Sequence, residues 1–281
     1  MSFIAIIGGG SLGGSIAHKV AARDRVGEVR LIDVEESIVQ GKALDIRQSS
    51  PIENFSARVV GIGSLAGVAG ADAIVIADAA TGHGEFTGEA GLALLRQIAA
   101  LETSAPIVFA GAAQRELMGR AIGELHISAS RIVGSAPFAL ESALRSLAGL
   151  LMDTSGVEIG LTVVGVPPRS AVVLWEEASV SGQPLASTVP PHEIAALNAR
   201  LPGLWPPGPY ALASAAARVI EAIVNGSRRR FSCFVAADRG SVGAMPVELG
   251  EEGVRRVLEP VLTRQERTRL ENALNHESSN P

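Results

Sequence analysis

The chain opens with Phe3-Ile4-Ala5-Ile6-Ile7-Gly8-Gly9-Gly10-Ser11-Leu12-Gly13, and twenty positions after Gly13 stands Asp33. A short apolar run that stops at glycine reads as a buried strand. Leu12, Ile16 and Val20 then recur every fourth position, which sets them on one face of a helix. Glycines between such a strand and helix let backbone amides approach a diphosphate at the helix N-terminus. A carboxylate closing the second strand accepts hydrogen bonds from ribose hydroxyls and repels a 2′-phosphate. Gly8, Gly10, Ser11, Leu12, Gly13 and Asp33 are thus the expected cofactor-binding residues, and NAD is favoured over NADP.

The rest of the first half keeps the same alternation. Val29–Ile32, Arg58–Val60, Ala73–Ala77, Ile107–Ala110 and Arg131–Val133 read as strands, with helices from about Glu89 to Leu101 and from Gln114 to Glu124. Strand–helix alternation predicts a parallel, doubly wound sheet. The pattern changes after about residue 155. Val157–Val166 and Ala171–Ser181 read as two longer strands forming an antiparallel pair. A proline-rich stretch from Pro184 to Pro209 holds one short helix near Glu193–Asn198. Ala211–Val224 reads as a buried helix, apolar all round. Further strands follow at Phe231–Ala237, Met245–Leu249 and Val254–Leu258. Thr263 and Glu266 form a capping box for a last helix. The fold class is α/β: a Rossmann-type N-terminal parallel sheet over residues 1–140, then a mixed α/β (α+β) C-terminal domain over 141–281.

Composition narrows the function. Hydrophobic residues make up 47% of the 281 and aromatics only 4%, so the core is aliphatic, as parallel strands covered by helices require. A net charge of −5 without a basic stripe argues against nucleic acid. The one dense basic cluster, Arg228-Arg229-Arg230, reads as a solvated loop before a strand. The single cysteine, Cys233, lies in an apolar strand and reads as a buried structural thiol. No histidine or cysteine spacing suggests a metal site. The start lacks a basic segment, its apolar run ends at Gly8, and no stretch is long enough to span a bilayer, so a cytoplasmic setting without a membrane partner is expected.

Leu31-Ile32-Asp33-Val34, Gln40-Gly41-Lys42-Ala43-Leu44-Asp45-Ile46 and Gln48-Ser49-Ser50-Pro51 closely resemble the lactate/malate dehydrogenase family, whose bacterial malate dehydrogenases carry a QGKALDL…QSSP run. Gly70-Ala71-Asp72, Gly182-Gln183-Pro184-Leu185 and Pro209-Tyr210-Ala211 extend the resemblance. It implies that residues 141–281 are a substrate-type domain, an NAD-dependent oxidation of 2-hydroxy acids, and a homodimer or homotetramer. In that chemistry a histidine held by a carboxylate takes the hydroxyl proton, arginines grip the substrate carboxylate, and an arginine-bearing loop covers the site.

The matched positions depart from that set. The covering-loop arginines of V-P-R-x-P-G-M-x-R fall on Gly82 and Gly88, and the asparagine of T-N-P on Gly111. In L-D-S-x-R the carboxylate is kept as Glu141, while the arginine falls on Leu144. The histidine of G-G-H-G-D falls on Pro167. His83 in the covering loop, Glu141, and Arg169 two positions past Pro167 are the candidates for a rebuilt catalytic site. Arg145 lies four residues after Glu141, a spacing that allows an ion pair. Three readings follow. The first is a dehydrogenase relative, with NAD(H) and a small anionic substrate, whose usual chemistry is lost or replaced. The second is a non-catalytic NAD(H)-binding sensor or subunit, a pseudoenzyme. The third is a scaffold without cofactor, which the glycine turn with Asp33 argues against, since nothing would hold those residues together without a ligand.

Overall fold

The computed structural model describes residues 2–82, 84–237 and 241–275. In the first half, β1 (Phe3–Ile7), α1 (Ser11–Ala22), β2 (Glu28–Ile32), α2 (Glu36–Glu53), β3 (Arg58–Ile62) and β4 (Ala73–Ile76) follow in order. Then come α3 (Gly88–Ala99), β5 (Ile107–Phe109), α4 (Arg115–Gly123), β6 (Ile132–Gly134) and α5 (Ala136–Leu151). The six strands are parallel in the order β3-β2-β1-β4-β5-β6, the doubly wound arrangement expected from the alternation. β1 and β4 are buried at every position, which explains why their sequences are continuous apolar runs. The C-terminal ends of β1, β2 and β4 meet where the strand order reverses, and this edge carries the site.

The second half begins with β7 (Ile159–Gly160), β8 (Val163–Val166), β9 (Ser170–Val173), β10 (Ser179–Val180) and β11 (Gln183–Pro184). Helices α6 (Leu185–Thr188), α7 (Pro191–Arg200) and α8 (Pro209–Asn225) follow, then β12 (Arg230–Ala236), β13 (Val242–Gly250), β14 (Gly253–Val257) and α9 (Arg264–Asn275). β12 joins the edge of β6 antiparallel and β13, β8 and β9 continue outward, so one sheet crosses the molecule.

Three expectations need correction here. The two long strands are each broken. β8 and β9 pair antiparallel in the main sheet, while β7 and β10 pair in a separate three-stranded sheet, with a tight turn at Trp175–Glu177 between β9 and β10. The proline-rich stretch holds two helices, α6 and α7, rather than one. The third is the Glu141–Arg145 ion pair, which does not form. Helix α8 packs against α1 and α5, as its all-round apolar sequence demands. The capping box closes as expected: Thr263 N donates to Glu266 Oε2 at 2.8 Å and Glu266 N to Thr263 Oγ1 at 3.3 Å. Cys233 is fully buried, and burial, with Glu141 nearby, pushes its thiol well above the ordinary range. Arg228, Arg229 and Arg230 are exposed.

Candidate functional site

The glycine turn runs from the end of β1 into α1. The first amides of a helix have no partner within it, and the helix dipole favours an anion there. In this chain the anion is the protein's own. Leu12 N donates to Asp78 Oδ2 at 3.0 Å and Gly13 N to Asp78 Oδ1 at 2.8 Å, with Ser11 Oγ 3.4 Å from Oδ2. Asp78 lies just past β4 and is only 8% exposed. Its backbone is held too, because Gly10 N donates to Asp78 O at 2.9 Å. A β-carbon at Gly10 would collide with the Asp78 carboxyl, and one at Gly8, where φ is +105°, with the Asp78 backbone. Asp78 therefore supplies a reason for both glycines that needs no ligand, which removes the argument raised above against a scaffold.

Asp33 is held in the same way. Its Oδ2 accepts from Gly9 N at 2.8 Å and Ala80 N at 2.9 Å, and its Oδ1 from Glu35 N at 3.1 Å. A carboxylate offers about four acceptor positions, so one remains for a hydroxyl. Asp33 lines a cavity of about 300 Å³ whose walls include Ile32, Val34, Leu65, Phe86 and Leu94. Lys42, from the QGKALDI run, reaches back to the turn and donates to Gly9 O at 2.6 Å and Gly10 O at 2.7 Å.

On the far side of Asp78 the covering loop is tied down. Asp78 and Glu85 form a short antiparallel bridge, and Ala79 N donates to Gly84 O at 3.0 Å. The Glu85 carboxylate accepts from Ala112 N at 2.9 Å and Ala113 N at 2.7 Å, in the loop after β5. Fully buried Gln114 joins the pieces: Gly111 N donates to its Oε1 at 2.9 Å, and its Nε2 donates to Ala77 O at 3.1 Å and Phe86 O at 3.4 Å. Gly82 and Gly88 both adopt positive φ. His83 lies outside the described residues.

Glu141, on α5, is buried and bonded to the Ser232 hydroxyl of β12 at 2.5 Å; the same oxygen of Ser232 accepts from Val163 N at 3.3 Å. Burial raises the carboxyl to about 7, although Ser232, the Arg145 charge and Val163 pull it back. The expected Glu141–Arg145 ion pair is not formed: Arg145 turns away and donates to Val157 O at 3.3 Å. Leu144 is fully buried in the smaller core with Leu140, Ile159 and Val163. Pro167 is buried in the turn between β8 and β9, and Arg169 is exposed there. Among the described residues no group of three histidines, cysteines or carboxylates could hold a metal ion, and no helix is long and apolar enough to cross a membrane.

Residues 3–100 match the NAD binding domain of lactate/malate dehydrogenase. The malate dehydrogenase of Chloroherpeton thalassium is 28% identical, over 97% of this chain and 95% of its own. That of Roseobacter denitrificans is 29% identical, over 97% and 93%. The solved malate dehydrogenase of Salinibacter ruber superposes with a TM-score of 0.82 at 26% identity, covering 99% of this chain and 95% of that one. The chain is similar to malate dehydrogenases along nearly its whole length, and its first hundred residues to the family's NAD binding domain. It is a malate/lactate-dehydrogenase-like, NAD-binding oxidoreductase homologue, and the cofactor of its matched domain is the NAD expected from the glycine turn. A lactate dehydrogenase of Cryptosporidium parvum, solved with lactic acid and nicotinamide adenine dinucleotide, shares the fold, with a TM-score of 0.86 at 22% identity over 99% and 96%.

For this dehydrogenase relative, the residues present fit the cofactor in part. The cavity beside Asp33, with one acceptor position free, fits a nucleoside. The amides of α1 do not fit a diphosphate while Asp78 is seated on them. The sequence reading passed over Asp78, Glu85, Gln114 and Ser232. One signal pointed to Asp78: a carboxylate directly past an apolar strand, at the edge where open α/β sheets bind ligands.

Proposed function

We propose that this chain is a member of the lactate/malate dehydrogenase family that has lost ordinary 2-hydroxy acid oxidation and acts as a non-catalytic NAD(H)-binding protein, a sensor or subunit. The observation that carries this reading is the state of Glu141. It is the carboxylate matched to the family's histidine partner, yet it is buried against Ser232, and the matched histidine position is Pro167. A carboxylate locked onto a serine hydroxyl orients no base. The loss extends to the substrate grip. Gly82 and Gly88 bring no charge to the covering loop, Leu144 is packed in the core, and Glu85 occupies the amides beside Gly111. Arg169, near the matched histidine position, is a cation left for an anionic substrate, and it lies at an exposed turn.

Residues 1–140 take the dinucleotide role in this reading, and 141–281 the remnant of the substrate role. The chain assembles as a homodimer or homotetramer and works in the cytoplasm. A replaced chemistry based on His83 is the second reading, supported by the place of that residue in the covering loop.

Steady-state assays with NADH and oxaloacetate, pyruvate or longer 2-oxo acids test the loss. Enzymes in general turn over at about 10 s⁻¹, and absence of a general base costs roughly 10²- to 10⁴-fold. The expected rate is therefore below about 0.1 s⁻¹. Turnover of about 10 s⁻¹ would overturn the proposal. Weak turnover that vanishes in His83→Asn would favour the second reading.

A further inference from the structure

The two parts of the cleft differ in what they leave open. Beside Asp33 the apolar cavity is open and has a carboxylate with an acceptor position to spare. Its volume sits at the lower end of the range for small-molecule sites, about 300–1,000 Å³. At the head of α1 nothing is spare, because Leu12 N and Gly13 N both point at Asp78.

We propose that the Asp78 carboxylate is a built-in competitor of the cofactor's diphosphate: the cleft admits adenosine with Asp78 seated, and admits NAD or NADH only once this carboxylate has left the α1 amides. The proposal rests on the NAD-binding reading. Three features support it. The amides that Asp78 holds are the donors a Rossmann turn offers to a diphosphate. Gly10 lets the carboxylate approach so closely that carboxylate and phosphate cannot share the space. Both groups are anions, so vacating the amides without leaving the cradle would still leave like charges in contact.

The way out is also defined. The Asp78 backbone is pinned by Gly10 N and by the bridge to Glu85. Release is therefore a rotation of the side chain rather than a movement of the strand. Lys42 Nζ, already at the carbonyls of Gly9 and Gly10, is the nearby cation that would face an incoming phosphate. Asp78 thus sets the affinity for every ligand that carries a 5′-diphosphate and leaves nucleoside binding untouched.

Calorimetric titration of the full chain with adenosine, ADP-ribose and NADH tests this in wild type, Asp78→Ala and Asp78→Asn. In Asp78→Ala, ADP-ribose and NADH should bind at least about tenfold more tightly, while adenosine stays within about twofold. Asp78→Asn keeps the size but loses the charge, so it should fall between the two. Melting followed by circular dichroism establishes that each variant is folded. If Asp78→Ala does not fold, Asp78→Asn carries the test, with a gain of at least about threefold for ADP-ribose and none for adenosine. Equal ADP-ribose affinity in wild type and variants would overturn the role of Asp78, while saturable NADH binding in all of them would leave the NAD-binding reading standing. Adenosine failing to bind a wild type that binds NADH would also overturn the proposal. No nucleotide binding to any folded form would overturn both.

Discussion

Glu141 and Asp78 are two buried carboxylates that solve the same problem differently. Asp78 is met by backbone amides along a helix axis, whereas Glu141 is deeply buried and its contacts with Ser232, Val163 and the Arg145 charge do not offset that burial. Burial accordingly lifts Glu141 from its ordinary 4.5 to about 7. The consequence for stability has a definite sign. Below pH 4.5 the carboxyl is neutral in both folded and unfolded chains and costs nothing. Between 4.5 and 7 the unfolded chain ionises first, so stability falls as pH rises, and it levels off above 7. The full loss is on the order of 3 kcal/mol. Glu141→Gln keeps an acceptor for Ser232 and cannot ionise. Urea unfolding at pH 5 and pH 8 should show wild type losing most of that amount relative to the variant; parallel pH profiles would contradict it. The position of Glu141 was legible from the sequence through the L-D-S-x-R match, but its partner was not, because Ser232 lies 91 residues away on β12. Asp78 was hidden for the same reason. Gly8, Gly10 and Gly13 announce a close approach, and sequence spacing does not say whether a ligand or the chain itself makes it.

Among the elements, β1 to β6 and their helices were readable because buried parallel strands are written as uniform apolar runs. The failures came where that signal is ambiguous. Val157–Val166 is apolar enough for one strand, yet its two halves pair with different sheets. The covering segment between β4 and α3 had no periodicity to read. Its described residues are held by contacts from outside, among them Glu85 on the amides of Ala112 and Ala113. Charge-assisted bonds of this kind contribute about 1.5–3 kcal/mol each when well shielded. Glu85 is half-buried, so a discounted total of about 1–2 kcal/mol is expected for the latch. Glu85→Ala should therefore speed amide hydrogen exchange from Ala79 to Thr87 and at Ala112 and Ala113 by roughly tenfold. Exchange in α2 and β3, at the β3 edge of the sheet, should not change. Unaltered exchange in the covering segment would mean that Gln114 and the Asp78–Glu85 bridge hold it without the carboxylate.

At the scale of the whole molecule, a division of roles at residue 140 need not be a division into folding units. The main core draws on β1, β2 and β4 of the first half, and equally on Leu212, Val219 and Ile223 of α8 and on Phe231, Phe234 and Val235 of β12. Helix α8 covers α1, the helix whose N-terminus makes the cradle. β12 seals the edge of β6, where the Phe234 side chain lies against Gly134. Residues 1–140 made alone would expose the apolar face of α1 and leave β6 as an unpaired edge, and long unpaired apolar edges invite aggregation. The isolated segment should consequently be insoluble or bind a hydrophobic dye strongly, with no cooperative melt by circular dichroism. Adding residues 205–258 back in the same chain, joined by a short linker, should restore both solubility and a melting transition, since that stretch carries α8, β12, β13 and β14. A soluble segment 1–140 with a sharp melt would show instead that the cradle half folds on its own, and that the continuity of the sheet across β6 and β12 is a docking contact rather than a condition of folding.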